Sequence, residues 1–316
     1  MAIAELMNLG PVFLRREAIE REIDDGVLSR AVRNQTLVRV RHGVYADGAW
    51  WKEAGSVARH VGVAHAVARL MVSPYVYSHT TAVLLHGLPV WGTDLQRLHI
   101  THLGPAGGRL QAGVKHHATP RAGDGQVVID GLPATGLARS LIDFAKTVDL
   151  QRALIPTDHA LMKGLVTKAD LVRQAQLQDH DPHSLRVRVV LAEANSGAQS
   201  VGESRSRFLF WQEGLPRPVC QFEVRDVFGT LIGFVDFAWP EYGVIVEFDG
   251  RIKYTDLLRP GETAADAVIR EKEREDRIRE ATGWTVIRLT WDDLNHPRRT
   301  AERIRRAMMR TNRPAA

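Results

Sequence analysis

Two apolar stretches in the last third of the chain carry acidic residues where apolar ones are expected. Asp236 interrupts an apolar run from Leu231 to Trp239, and Glu247 and Asp249 alternate with apolar residues in the run that starts at Gly243. Because successive side chains of a strand point to opposite faces, Glu247 and Asp249 share one face. Carboxylates crowded on an otherwise apolar sheet repel one another. A divalent cation such as Mg²⁺ or Mn²⁺ removes that repulsion and activates water for hydrolysis of a phosphate ester.

The link between the two runs decides whether the acids meet. A hairpin with the two-residue loop Glu241–Tyr242 places Asp236 directly across from Glu247. We therefore expect Asp236, Glu247 and Asp249 to bind the metal ion. The alternative is an acidic cluster that is protonated or salt-bridged and has no function.

A long charged helix is predicted after these strands, from Glu262 to Thr282. Its apolar stripe is interrupted by Glu271, Lys272 and Glu275. An amphipathic helix that packs on a sheet continues with apolar residues at such positions. The interruption favours charged side chains that point toward the sheet, and we expect Lys272 to be one of them.

The elements around these residues predict an α/β sandwich in residues 198–316. We expect a helix, three strands, a helix, a strand and a final helix, at residues 200–214, 219–226, 230–239, 243–249, 262–282, 285–290 and from Pro297 onward. The first helix opens with the capping box Ser200–Glu203. Capping alone explains a glutamate at position 203, without a role in catalysis. The final helix carries seven arginines against one acid between Pro297 and Arg313. Such a helix binds a phosphate backbone or is a solvated face.

One ordered set of residues makes this region resemble a known family. The set comprises Glu203, Val235–Phe237, Val246–Gly250 with Lys253 and Tyr254, Glu271–Lys272 with Arg274–Asp276, and Gly283–Arg288. It resembles the very-short-patch-repair-like endonuclease domains of the PD-(D/E)XK superfamily. The resemblance implies a restriction-endonuclease-like domain in which Asp236 and Glu247 bind the metal and Glu203 is an accessory acid.

The resemblance departs from the superfamily pattern at one position. The pattern has a lysine two residues after the second acid, where this chain has Asp249. Lys253, Lys272 or Arg288 then supplies the positive charge that stabilises the phosphate. Inactive relatives also lack that lysine, so a protein without turnover is an alternative.

The N-terminal segment, residues 1–52, is predicted to bind DNA. Two short helices, the first including Phe13 and Leu14, precede an alternating basic strand pair, which predicts a winged helix-turn-helix. Its DNA-binding candidates on the second helix and in the wing are Arg30, Arg33, Arg39 and Arg41. A docking module that never touches DNA is the alternative.

A second resemblance covers the N-terminal part of the chain. It rests on Phe13–Ala18, Arg39–Tyr45, Ser78–Ala82 and Leu85–Pro89. These residues resemble the N-terminal winged-helix domain of abortive-infection type IV antitoxins. The resemblance implies DNA binding and autoregulation.

Residues 53–197 are predicted to form an α/β middle domain that ends in a helical connector. The segment from His60 to His117 contains eight of the thirteen histidines. No spacing among them matches a zinc pattern and no cysteine accompanies them. We therefore expect hydrogen-bonded or turn histidines here and no metal site.

The bulk properties indicate the class of protein. The chain has 316 residues, one cysteine and a formal net charge of +5. A single cysteine excludes a disulfide framework and is typical of a reducing cytoplasm. No stretch of the sequence approaches the ~20 apolar residues of a membrane span.

Together these features predict a cytoplasmic DNA endonuclease of the α/β class that uses Mg²⁺ or Mn²⁺ and has no membrane partner. It would act in phage defence, repair or a toxin–antitoxin setting. A non-catalytic DNA-binding repressor or antitoxin, and an RNA-cleaving toxin, are the alternatives. The sequence does not decide between a homodimer and a complex with a toxin or antitoxin partner.

Overall fold

The chain has a mixed α/β fold in two compact units. The structure, a computed structural model, describes residues 10–103, 109–118, 125–179, 181–250 and 263–311. The first unit comprises Met1–Pro156 and Leu165–Ala192, and the second comprises Thr157–Gly164 and Glu193–Ala316. None of the helices in the described ranges has the length and apolar character needed to cross a lipid bilayer.

The first unit begins with a small antiparallel sheet in the order β1-β3-β2. Its elements are β1 (Val12–Leu14), α1 (Arg15–Ile19), α2 (Asp25–Arg33), β2 (Leu37–Arg41), β3 (Val44–Asp47) and α3 (Gly48–Glu53). The prediction that Phe13 and Leu14 belong to a helix is wrong. All three residues of β1 are buried, and a run covered on both faces is stable as a strand paired with β3.

A six-stranded mixed sheet in the order β6-β7-β5-β4-β9-β8 follows in the same unit. Its elements and the helices around it are α4 (Ser56–Ala68), β4 (Tyr75–Tyr77), α5 (His79–Leu85), β5 (Leu98–His102), β6 (Arg109–Gln111), β7 (Val114–Ala118), β8 (Gln126–Ile129), β9 (Leu132–Thr135), α6 (Leu137–Thr147), α7 (Leu150–Met162), α8 (Lys168–Gln176) and α9 (Ser184–Glu193). Tyr77 and Ile100 of this sheet share one buried core with Leu14 and Val44 of the first sheet. Residues 10–52 and the described residues of the region after them therefore share a common core.

The second unit is built on a four-stranded sheet in the order β10-β11-β12-β13. Its elements are α10 (Val201–Gln212), β10 (Val219–Arg225), β11 (Leu231–Trp239), β12 (Val244–Phe248), α11 (Ala264–Thr282), β13 (Thr285–Leu289), α12 (Trp291–Asn295) and α13 (Pro297–Thr311). The first three strands are antiparallel, and β13 pairs in parallel with β12. Apart from the short α12, this is the order of elements that the sequence predicts.

The two faces of this sheet bury different residues. On one face Phe237 packs with Leu209 of α10, and on the other Ala238 and Ile245 pack against Ile278 of α11. Side chains alternate along a strand, so residues two positions apart share a face. Asp236 is two positions from Ala238, and Glu247 is two positions from Ile245. Both predicted carboxylates therefore lie on the face covered by α11. The apolar core therefore continues up to the edge of the acidic site.

A close approach between α10 and β12 depends on Gly202. A Cβ atom built on Gly202 would lie 1.9 Å from Cε1 of Phe248. The Phe248 ring in turn packs edge-on against Trp291, with ring centroids 4.9 Å apart. This contact fixes the start of α10, and with it the neighbouring Glu203, beside the end of β12.

We expect Gly202→Ala to destabilise the second unit. The added methyl group meets an aromatic ring that is held from behind, and overpacking of this kind costs about 1–3 kcal/mol, partly offset by the better helix propensity of alanine. Urea denaturation measures the loss. Gln212→Ala, at an exposed position of the same helix, is the control and should change stability by less than about 0.5 kcal/mol. A Gly202→Ala protein as stable as wild type would contradict the tight packing of Phe248.

Candidate active site

The hairpin of β11 and β12 brings the two predicted carboxylates together. The last backbone pairs of the hairpin are Phe237–Val246, Ala238–Ile245 and Trp239–Val244. Continued by one residue, this register places Asp236 opposite Glu247. The pairing that the sequence predicts is therefore confirmed.

The link between the strands differs from the predicted two-residue loop. A 3₁₀ turn, Pro240–Tyr242, is closed by Gly243 in the left-handed region at φ 56°. Glycine adopts this conformation without the steric penalty of a Cβ atom. The register is unchanged because the turn still joins Trp239 directly to Val244 as the last pair.

Asp236 is held in a largely apolar, partly closed environment. The backbone N–H of Phe248 donates to Oδ2 of Asp236 at 2.8 Å. Burial, and then repulsion from Glu203, raises the pKa of Asp236 from 3.8 to about 6, and the Phe248 hydrogen bond offsets only part of this shift. A carboxylate whose ionised form is disfavoured in this way gains from any cation placed beside it.

Gln221 is a site residue that the sequence analysis missed. The pairs of β10 with β11 on either side, Cys220–Phe237 and Phe222–Val235, place Gln221 at the level of Asp236. Its Nε2 lies 3.3 Å from Oε2 of Glu203 and 3.5 Å from Oδ1 of Asp236. Gln221 also has a φ of 50°, which side chains other than glycine rarely adopt and which clusters at functional sites. A polar residue between the apolar Cys220 and Phe222 in a strand is the sequence signal that could have identified it.

Glu203 has the structural role that its sequence position predicts. Oε1 accepts a hydrogen bond from Ser200 Oγ at 2.7 Å, and Oε2 accepts one from the backbone N–H of Gln199 at 2.9 Å. Glu203 is nevertheless buried, and its charge acts on Asp236. Capping and a place at the acidic site are therefore combined in one residue.

Arg274 of α11 neutralises Glu247. Its Nη2 donates to Oε1 of Glu247 and to Oε1 of Glu271, each at 2.8 Å, while Nη1 donates to the carbonyl of Phe234 at 3.0 Å. Burial raises the pKa of Glu247, and Arg274 offsets part of that shift. Burial alone would lower the pKa of Arg274, but Glu271 and Glu247 outweigh it and raise that pKa. The sequence analysis did not select Arg274 as the basic residue of the site.

Of the two lysines that the sequence predicts for the site, only Lys272 lies among the described residues. Lys272 is exposed on α11, so the expectation that it points toward the carboxylates is wrong, whereas Glu271 and Glu275 are partly buried as predicted. Arg274 takes that place because it lies on the same helical face as Glu271 and Ile278. Lys253 lies outside the described residues.

Asp249 and Arg288 lie at the margin of the site. Asp249 is exposed just beyond the end of β12, and its backbone N–H donates to the carbonyl of Leu289 at 2.7 Å. Arg288 is half-exposed and pairs with Glu275 at 2.5 Å. Neither residue has the burial of Asp236 or Glu247.

The site offers the oxygen donors that a hard divalent cation prefers. Asp236 and Glu247 lie on adjacent strands, and a cation would relieve the repulsion between Asp236 and Glu203. Among the described residues, however, no three acidic side chains have oxygens that all lie within 4.8 Å of one another. A metal ion held by Asp236 and Glu247 would therefore keep water in its other positions, as Mg²⁺ does when one or two carboxylates bind it.

The N-terminal candidates separate into two groups. Arg30, Arg33 and Arg39 are exposed, on α2 and β2. Arg41 instead is half-buried, and its Nη1 donates to the carbonyl of Ala112 at 3.1 Å. Burial lowers the pKa of Arg41. The exposed arginines are therefore the ones available to a phosphate backbone.

The basic helix α13 is amphipathic. Ala301, Ile304 and Met308 are buried in the core of the second unit. The arginines exposed on its other side are Arg298, Arg299, Arg306 and Arg310. Arg313 lies outside the described residues. The helix therefore anchors an exposed positive face to the unit that contains the carboxylates.

Comparison with known proteins adds relatives without a stated activity. No protein-family model matches the chain. It is 28% identical over 280 residues to two uncharacterised proteins of Mycobacterium tuberculosis, MT2308 of strain CDC 1551 / Oshkosh and Rv2248 of strain ATCC 25618 / H37Rv, across 88% of this chain and 95% of each relative. The crystal structure of the RV2827C protein from Mycobacterium tuberculosis aligns with a TM-score of 0.41 and 18% identity, over 71% of this chain and 86% of that one. A TM-score this low does not establish a detailed common fold.

We expect Asp236→Asn to stabilise the metal-free protein at pH 7.5. A carboxyl group whose pKa is raised by folding stabilises the fold fully below its unfolded pKa of 3.8, and this stability is lost as the pH rises through about 6. Removing the charge should therefore raise the free energy of unfolding by on the order of 1–3 kcal/mol at pH 7.5, and by almost nothing at pH 4. Urea denaturation in EDTA at both pH values measures this difference.

Glu223→Gln is the matched control for this substitution. Glu223 is exposed on β10, where its removal should leave stability unchanged at either pH. A destabilised Asp236→Asn protein at pH 7.5 would show that the ionised carboxylate is well accommodated, contrary to the raised pKa.

Proposed function

We propose that the chain is a metal-dependent endonuclease that hydrolyses phosphodiester bonds in DNA. The observation that carries this proposal is the pair of partly buried carboxylates, Asp236 and Glu247, opposed on neighbouring strands with Glu203 beside them. Burial raises the pKa of both Asp236 and Glu247. Clustered carboxylates with perturbed pKa values are typical of catalytic and metal-binding sites.

Asp236 and Glu247 are the residues that would hold Mg²⁺ or Mn²⁺. The bound ion supplies a Lewis acid and lowers the pKa of a coordinated water. Gln221 orients the carboxylate of Asp236 through its side-chain amide. Glu203 adds negative charge at the same place, which strengthens the preference for a divalent cation.

Arg274 supplies the positive charge that the superfamily pattern assigns to a lysine. Its guanidinium is held by Glu271 and by the carbonyl of Phe234, so it stays beside the site when Glu247 turns toward an ion. In the hydrolysis the oxygen of water attacks phosphorus, the P–O bond to the leaving oxygen breaks, and a proton passes to that oxygen. Arg274 stabilises the negative charge on the phosphate oxygens.

The exposed arginines of α13 provide a surface for the phosphate backbone in the same unit. Arg299, Arg306 and Arg310 are spaced so that they share one side of the helix. The sequence has no aromatic-rich strand platform of the kind that binds single-stranded RNA, which favours DNA as the substrate. Arg30, Arg33 and Arg39 would add a second contact with DNA.

The cellular setting that we propose is the cytoplasm, in phage defence, repair or a toxin–antitoxin system. A DNA-binding repressor or antitoxin without turnover is the second candidate. The ion pair between Arg274 and Glu247 favours it, because an acid that is already neutralised has less need of a metal. Asp249 at the usual lysine position favours it as well.

Cleavage of supercoiled plasmid separates the two candidates. We expect wild-type protein to nick the plasmid with Mg²⁺ or Mn²⁺ and not in EDTA, and we expect Asp236→Asn to reduce the rate at least 100-fold, about 3 kcal/mol in activation free energy. Glu223→Gln should cleave as wild type does. Single-stranded RNA of matched length, offered in competition, should be cleaved more slowly.

Each other outcome of this assay identifies a different function. DNA that is retarded on a gel but not cleaved by either protein, with binding that ignores metal and Asp236→Asn, would establish the repressor. Faster cleavage of the RNA would establish the RNA-cleaving toxin. Metal-dependent cleavage that survives Asp236→Asn would overturn the assignment of the site.

We expect the α13 arginines to set the salt dependence of DNA binding. Each phosphate contact adds about 0.9 to the slope of log affinity against log salt concentration. The triple variant Arg299→Gln, Arg306→Gln, Arg310→Gln should therefore bind DNA more weakly and reduce the slope by up to about 3. Fluorescence anisotropy at several salt concentrations measures both. Arg173→Gln, at an exposed position of α8, is the control, and a slope unchanged in the triple variant would exclude α13 from the interface.

A further inference from the structure

Three histidines of the first unit converge although they are far apart in the sequence. His79 begins α5, His99 lies in β5 and His117 in β7, and one ring nitrogen of each lies within 4.8 Å of those of the other two. In the parallel pairing of β5 with β7, Thr101 lies beside His117. His99 is two positions from Thr101 in β5 and shares its face, so His99 and His117 project from the same face of the sheet. In the described part of the chain, no other three histidine, cysteine or acidic side chains bring ligand atoms this close.

The backbone of His79 is strained in a way that directs its ring. His79 is buried and has a φ of 51°, in the left-handed region that side chains rarely adopt. Its Nδ1 lies 2.9 Å from Oγ of Ser78, and Thr101 Oγ1 donates to the same Oγ at 2.8 Å. Strain of this kind persists where the surroundings fix a functional side chain. These contacts hold the His79 ring next to the sheet.

All three imidazoles are in the form that binds metals. Burial lowers the pKa of His79 well below its usual range, that of His99 to about 3 and that of His117 to about 4. At neutral pH each ring is therefore uncharged and has one nitrogen with a free lone pair. Neutral imidazole is the protein ligand that Zn²⁺, Co²⁺ and Ni²⁺ prefer.

We propose that His79, His99 and His117 form a binding site for a divalent transition metal of the Zn²⁺ type. Three protein ligands leave the fourth position of a tetrahedral ion for water or for another ligand. The site is separate from the carboxylates of the second unit, and its existence does not depend on the endonuclease activity.

A largely basic cleft beside His99 favours an anion as the fourth ligand of the proposed metal ion. His99 lines a cleft of about 520 Å³ together with four basic side chains and two acidic ones, Arg97, Lys115, Arg152, Arg186, Asp94 and Asp149. The basic side chains of the cleft disfavour the positive charge of a metal ion beside them. Lys115 is exposed, so solvent screens its charge. The same basic side chains favour a phosphate or carboxylate group as a further ligand of the metal, because its negative charge would offset theirs.

The three rings pack closely on one another in this structure. His99 Nδ1 and His117 Nε2 are 3.0 Å apart and share a hydrogen bond. The rings of His79 and His117 are stacked, with centroids 3.7 Å apart and an interplanar angle of 15°. Because an imidazole binds a metal in the plane of its ring, the ion must separate this stack. His117 is the partly exposed member of the three.

Cobalt spectroscopy on the full-length chain tests this proposal. Tetrahedral Co²⁺ with nitrogen ligands absorbs strongly in the visible range, whereas Co²⁺ on carboxylates and water absorbs weakly. We expect one strongly absorbing Co²⁺ per chain, displaced by Zn²⁺ and retained in excess Mg²⁺. His117→Gln should lower the Co²⁺ affinity at least about 100-fold, because it removes one of three ligands.

Two control variants make the outcomes decisive. His116→Gln changes the neighbouring residue, which points to the opposite face of the sheet and contacts His102, and should leave the spectrum unchanged. Asp236→Asn should also leave it unchanged, because the carboxylates are not ligands of this ion. A wild-type chain without the strong absorption, or an equal spectrum in wild type and His117→Gln, would overturn the proposal. If His117→Gln fails to fold, His99→Gln, which removes another of the three ligands, decides the question in the same way.

Discussion

The burial of like charges on one face of the second unit's sheet is the constraint on which its other features depend. Asp236 and Glu247 face each other because the hairpin register is fixed by the apolar residues next to them. Such a pair is unstable in a dry environment unless hydrogen bonds or cations compensate it. Arg274 and the Phe248 backbone N–H both serve that purpose. Helix α11 therefore carries charge on the face where an ordinary packed helix carries leucine.

Local features of the sequence were enough to predict the central part of this site. The two carboxylates belong to adjacent strands joined by a short turn, so that alternation and turn length decide their pairing without reference to the rest of the chain. Gln221 could not be found in the same way, because its place opposite Asp236 depends on how a third strand pairs. The choice of Arg274 over Lys272 depends on the rotation of α11 about its axis, which the packing of Ile278 against Ala238 and Ile245 determines.

The same distinction applies to the first unit. Strands β5 and β7 have five residues each, enough to show a period. Strands β1, β4 and β6 have three residues each and show none. The cluster of His79, His99 and His117 depends on the parallel pairing of β5 with β7 and on the packing of α5 against β5. Spacing in the sequence does not indicate either of these.

The parallel pairing of β12 with β13 has a consequence for the order in which the second unit folds. Strands β11 and β12 are neighbours in the chain and can form a hairpin early, whereas β13 joins only after the crossover that contains α11 has closed. Asp236 and Glu247 are therefore brought together before Arg274 arrives to separate their charges. In that order the hairpin carries the repulsion between its carboxylates until α11 docks, so we expect the charge of the finished site to oppose the first step of its assembly.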